Sequence, residues 1–301
     1  VNMKRNTKLI ILMLIATLSN SYAQSDAPIK EKSSTTGDID NEITNARMRA
    51  ESGSKSPFSF STSFGYSGGS IVEPFDTDRP NIYGNPEEQT ETSLDGSISA
   101  RYRYTKNDSL SLGAGFSLLD PWDHSVVDIS NPYLGYSRVY KIGAFQTITS
   151  VDYTLGTSDY FEAYDISQVL DVSQYMMANI KGTGVTLGFS VAFGQYFYGS
   201  DQEDGIAPKS AQTNYTLGFY PQLEYVINDR YSLRTVFGYF NFKNYREDKA
   251  FKLTRAYEYQ SIGVGISISR DVYIYPNIQF LADDLNEDKT NVGISATINL
   301  L

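Results

Sequence analysis

The chain has 301 residues with a single histidine and no cysteine, so zinc-thiolate sites, disulfide frameworks and cysteine nucleophiles are excluded. Any Ser-His-acid triad or Asp-His dyad must use His124, which sits in Asp120-Pro121-Trp122-Asp123-His124-Ser125. On a strand, catalytic partners share a face only at i, i+2 spacing. Here Asp123 and His124, like His124 and Ser125, are adjacent and would diverge, so no enzyme is expected. Carboxylates do cluster, at Asp201-Gln202-Glu203-Asp204-Gly205 and at Asp283-Asp284. Calcium favours such oxygen donors, but neither run has the spacing of an EF-hand loop, and the identity of any metal ligand stays open. A third set is more telling: Asp95, Arg101, Arg103, Arg138, Asp152, Glu224 and Arg234 are embedded in segments that otherwise alternate apolar with small polar residues. Charges so placed can line a constriction and select solutes by sign and size, or close a lumen as a salt-bridge network.

The elements that must position these charges follow from the period of the sequence. Val292, Ile294, Ala296, Ile298 and Leu300 alternate with Asn291, Gly293, Ser295, Thr297 and Asn299, which puts every apolar side chain of that segment on one face of a strand. The same alternation runs through Val185 to Gly194 and Leu110 to Leu118. It predicts twelve strands, at 57–66, 93–105, 109–118, 132–141, 144–155, 166–180, 184–197, 213–227, 231–242, 253–268, 271–281 and 291–301. Segment 253–268 is irregular, because Tyr257 and Tyr259 have the opposite parity to Ile262 and Val264, the mark of a bulge or of a strand top outside lipid. In 166–180 the apolar face is interrupted by Gln168 and Gln174. Connections alternate between short turns, such as Lys106-Asn107-Asp108 and Asn228-Asp229-Arg230, and long polar links at 67–92, 119–131, 156–165, 198–212, 243–252 and 282–290.

A soluble barrel also alternates, but its polar face is rich in Lys and Glu. In this chain that face is Gly, Ser, Thr and Asn, which suits a lumen, while 24 Tyr and 16 Phe fit aromatic girdles at two lipid-water boundaries. No apolar run approaches the ~20 residues of a spanning helix. The expectation is an all-β fold: a transmembrane, antiparallel, up-and-down β-barrel, in which closure leaves no backbone group unpaired in lipid. By parity Asp95, Arg101, Arg103, Asp152, Glu224 and Arg234 face the lumen. Arg138 is expected to join them, since a cation facing mid-bilayer lipid costs about 2–4 kcal/mol.

Ahead of the barrel, Lys4, Arg5 and Lys8 precede the apolar stretch Leu9–Leu18 and the small-residue pattern Ser21-Tyr22-Ala23. This is the pattern of a secretory signal peptide over 1–23, with Met3 as start and cleavage before Gln24. Its removal takes three cations and moves the net charge from −10 to −13. Residues 24–56 form a polar periplasmic segment too poor in apolar residues to order itself. Within it Ile39, Ile43, Ala46 and Ala50 recur at helical spacing, so 39–51 is either a short amphipathic helix, lying in the periplasm or plugging the lumen, or a tail that frays. The acidic balance excludes nucleic acid as a main partner, and the long links, crowded with Asp and Glu, would draw cations to one mouth.

On signal peptide, strand alternation, turn and loop alternation, and a strand running to the last residue, residues 57–301 resemble the outer-membrane β-barrel proteins of Gram-negative bacteria, the porin-like class. That resemblance implies residence in the cell outer membrane among its lipids. It also implies passive passage of small hydrophilic solutes or ions through a monomeric or oligomeric barrel, without a cofactor. The competing class is a closed structural or adhesion barrel whose acidic loops bind a partner or divalent cations.

Overall fold

A computed structural model describes residues 43–81, 89–123, 126–199, 207–257 and 259–300. The chain forms a closed antiparallel barrel of twelve strands in up-and-down order. In sequence order the strands are β1 (Phe58–Ser70), a small hairpin of β2 (Asp78–Pro80) and β3 (Gln89–Glu91), then β4 (Ser93–Arg103), β5 (Asp108–Leu119), β6 (Val126–Ile142), β7 (Phe145–Leu155), β8 (Ile166–Asn179), β9 (Val185–Tyr198) and β10 (Thr213–Val226). They continue with β11 (Tyr231–Phe237), β12 (Phe240–Tyr245), β13 (Thr254–Tyr257), β14 (Gln260–Ser269), β15 (Val272–Phe280) and β16 (Asn291–Leu300). Closure is made by β1 against β16, with Phe60 opposite Leu300 and Tyr66 opposite Ile294. Strand nine of the barrel is β11 plus β12, both paired with β10, and strand ten is β13 plus β14. The two interruptions are neighbours: the Gly238 amide donates to the Tyr259 carbonyl at 2.8 Å, where the sequence irregularity in 253–268 falls.

Alternation along the strands sorts the side chains as the pleat demands. Phe58, Phe60, Ile98, Leu112, Leu134, Leu187, Leu233 and Ile262 are exposed on the outer wall, Ile98 at 59% and Ile129 at 76%. In water such a surface would be prohibitive, whereas acyl chains solvate it; no helix among the described residues is long and apolar enough to span a membrane, and the strands do the crossing. On the inner face Ser59 is paired with Arg101 and Ser61 with Ser99 across β1 and β4. Gln174 lies on the outer face and satisfies its amide there by donating to the Tyr140 hydroxyl at 3.2 Å, so β8 runs unbroken past it.

One end of the barrel carries short turns. Two of them use glycine where a left-handed backbone is needed, Gly143 between β6 and β7 and Gly182 with Gly184 between β8 and β9. Longer links occupy the other end, and three of them hold structure of their own, the last a 3-10 turn over Glu287–Lys289. The link after β1 contains the β2/β3 hairpin. Residues 156–165 contain helix α2 (Asp159–Ala163), capped by the Ser158 side chain accepting from the Phe161 amide. A further helix, α1 (Ala46–Glu51), precedes β1. β6 reaches six residues further than expected, through a bulge at Asn131-Pro132. There Asn131 adopts φ 53° and its Oδ1 accepts from the Thr157 and Ser158 amides.

Candidate functional site

The lumen is not empty. Helix α1 begins at Asn45, whose side chain accepts from the Met48 amide, and ends at Ser52, followed by Gly53 at φ +83°. Asn45 as N-cap sets the start of the described helix within the expected 39–51; residues 39–42 lie outside the described residues. Its apolar side is buried in two places. Ile43 and Met48 pack with Val139, Ile148, Tyr175 and Met177, and Ala50 packs against Tyr273 and Tyr275, all from inward-facing positions of the wall. The stripe differs from the expected one in that Met48 takes the deep position, at 0% exposure, and Ala46 stays half-buried.

Polar contacts fix both ends of the segment. At its start the Thr44 and Asn45 amides donate to Gln146 Oε1 at 2.6 and 3.1 Å, and Asn45 Nδ2 donates to Glu224 Oε2 at 2.7 Å. Mid-helix, Arg47 pairs with Glu51 at 2.6 Å, donates to the Tyr175 hydroxyl and Gln222 Oε1, and lies over the Tyr175 ring. The last carbonyls of a helix have no partner within it and form the negative end of its dipole. Here four successive carbonyls are taken by the wall: Ala50 by Asn299 Nδ2 at 2.7 Å, Glu51 by Arg101 Nη1 at 3.0 Å, Ser52 by Arg103 Nη2 at 2.8 Å and Gly53 by Arg270 Nη1 at 2.7 Å. Gly53 is required twice over, by its positive φ and because a Cβ would meet Arg101 Nη1 at 2.6 Å.

Cavities lie on both sides of the segment. One of about 370 Å³ opens toward the short-turn end beside Asn45, Arg49, Lys181, Glu224 and Arg230. On the other side, one of about 420 Å³ is lined by Glu51, Arg101, Asp152, Tyr133 and a series of serines from β1, β4, β5, β6 and β7. A third, of about 410 Å³, is lined by Arg47, Tyr220, Gln222, Arg234, Tyr275 and Gln279.

The charges singled out in the sequence therefore fall into distinct settings. Arg101 and Arg103 hold helix carbonyls, and Glu224, 2% exposed, holds Asn45. Arg234 donates through Nε and Nη2 to Gln222 Oε1 at 3.3 and 3.1 Å and lies over the Tyr275 ring. Asp152 faces the lumen directly opposite Asp171 of β8, an acid that parity along β8 could have placed there. Asp95 sits toward the long-link end, bonded to Ser93 and Ser117. Arg138 is not with them. It is opposite Asp108 on β5 and has the parity of Leu134 and Tyr136, hence the outer wall. The bulge at Asn131-Pro132 reverses parity within β6, which an unbroken count could not foresee. The lipid cost that argued for the lumen is avoided because Arg138 lies beside a short turn, with 56% of its side chain exposed and Asp108 at 3.6 Å. Sequence reasoning also missed Arg270 and Asn299, which it left in a turn and in a terminal strand.

His124 and the 201–205 acidic run lie outside the described residues. Among the described residues no three His, Asp or Glu side chains gather into a metal site. Acids of the long links are partly neutralised locally: Asp284 pairs with Lys289 at 2.9 Å, and Asp248 hydrogen-bonds Lys252 Nζ at 2.5 Å, holding that ammonium above its ordinary pKa.

No protein-family model matches the sequence, and no curated protein matches it. Solved structures do match in shape. An outer membrane channel from Pseudomonas putida F1 superposes with a TM-score of 0.50 at 11% identity, covering 83% of this chain and 97% of that one. The NanC porin gives 0.42 at 8% identity over 80% and 97% of the two chains. The translocator domain of the autotransporter NalP from Neisseria meningitidis gives 0.41 at 9% over 82% and 88%. The likeness is one of fold.

Proposed function

We propose that the protein is a channel of the cell outer membrane for passive diffusion of small hydrophilic solutes or ions, acting without a cofactor or a chemical step. In this reading residues 1–23 are a signal peptide, and Asp95, Arg101, Arg103, Asp152, Glu224 and Arg234 set selectivity within the lumen. The observation that carries it is the inner face itself. Serines, threonines, asparagines and opposed charges line cavities of about 420 and 410 Å³, where a barrel built only to hold itself together would fill its interior with packed side chains. The Pseudomonas putida F1 protein is described as an outer membrane channel, which agrees with this reading at the level of the fold.

One observation favours the competing class, a closed structural or adhesion barrel: α1 occupies the lumen. Conductance separates the two. Residues 24–301 would be reconstituted in planar bilayers beside the same chain carrying Asn45→Asp and Met48→Asp, which set a carboxylate against Glu224 and another inside the apolar contact. Ohmic steps in the double variant, rarer in the parent, are expected. Silence in both, with folding verified by heat-modifiable migration on a denaturing gel, overturns the channel.

A further inference from the structure

The wall groups at the C-terminal end of α1 are an unusual choice for holding a peptide. Three guanidinium groups and one amide converge on four neutral carbonyl oxygens. Arg101 makes no ion pair among the described residues, and its Nε is buried without a hydrogen-bond partner. Guanidinium forks match carboxylates far better than lone carbonyls, because an oxyanion offers two oxygens and a full charge to parallel N–H donors. Of the acids around the helix, Glu51 pairs with Arg47, Glu224 holds Asn45 and Asp271 pairs with Arg270 at 2.8 Å, whereas Asp152 shares a cavity with Arg101 without closing an ion pair with it. We propose that Arg101, Arg103, Arg270 and Asn299 form a binding site for small organic anions, carboxylates above all, and that the carbonyl end of α1 occupies it as an internal surrogate.

Anion and plug then compete for the same donors, so solute binding favours the withdrawn segment and an emptied site favours its return. The proposal rests on the channel reading and gives it a substrate class. It also predicts a selectivity opposite to the acidic surroundings. Although the chain carries a formal charge of −10, the stretch of open lumen beside these three arginines would prefer anions.

The test uses residues 24–301 with Asn45→Asp and Met48→Asp, with and without Arg101→Gln, Arg103→Gln and Arg270→Gln, in planar bilayers under a KCl gradient. The plug-displaced channel is expected to pass chloride several-fold better than potassium, and succinate added to the bath should reduce the chloride current at millimolar concentration. In the triple glutamine background, both the anion preference and the succinate block should be lost. A conducting channel that prefers potassium or is unselective, or a block that survives the glutamine substitutions, overturns the anion site while leaving the channel intact. Absence of conductance overturns the channel and the anion site together.

Discussion

Met48→Ala gives the sharpest measure of how firmly α1 is seated. Met48 is 0% exposed and lies in the cluster with Val139, Ile148, Tyr175 and Met177. Truncation to alanine removes three heavy atoms from that contact, worth about 0.8 kcal/mol for each methylene-sized group. The wall is a rigid sheet and cannot follow the lost atoms inward, so a loss of about 2 kcal/mol in docking free energy is expected. At about 1.4 kcal/mol per decade this raises the undocked fraction about 30-fold. The chain has no cysteine, so a single Ala50→Cys supplies a unique reporter. Ala50 is 1% exposed against Tyr273 and Tyr275, and a thiol there can meet a water-soluble maleimide only when the segment leaves the wall. In the folded barrel in detergent, labelling of Ala50→Cys should be slow, and adding Met48→Ala should accelerate it about 30-fold, the factor worked out above. Labelling of the single variant at the rate of a free thiol would refute the docked helix. An unchanged rate in the double variant would refute the assignment of its energy to this apolar contact.

Other outcomes follow from the same geometry. Gly53→Ala strains a backbone at φ +83° and drives a methyl toward Arg101, so it should cost about 1–2 kcal/mol of docking and speed Ala50→Cys labelling about tenfold. Arg138→Leu should leave the reversal potential of the open channel unchanged, because the side chain lies on the outer wall. Its partly exposed pair with Asp108 is worth less than about 1 kcal/mol, and a shifted reversal potential would return Arg138 to the lumen.

Most of the architecture was legible in the residue order. Twelve strands, the face each side chain takes and the alternation of short and long connections all follow from period two. A strand has only two faces, and lipid tolerates only one kind of residue on the outer one. The errors lie where one residue interrupts that count. The bulge at Asn131-Pro132 carried Arg138 to the opposite side, and the break at Tyr259 divided one strand into β13 and β14. The hairpin β2/β3 and helix α2 escaped notice because short elements in polar links have no hydrophobic period to reveal them.

The partners of the inner charges are a different matter. Nothing in the spacing of Arg101, Arg103, Arg270 and Asn299 along the chain says that they meet on the four consecutive carbonyls Ala50 to Gly53 at the end of α1, since those residues lie between 50 and 249 positions from the groups they hold. Nor could the weak stripe at 39–51 decide between periplasm and lumen, because six helical residues are not stable alone and take their place from whatever surface buries them. Local periodicity settles which way a side chain points. Only barrel closure, by bringing distant strands around one axis, settles what it finds there.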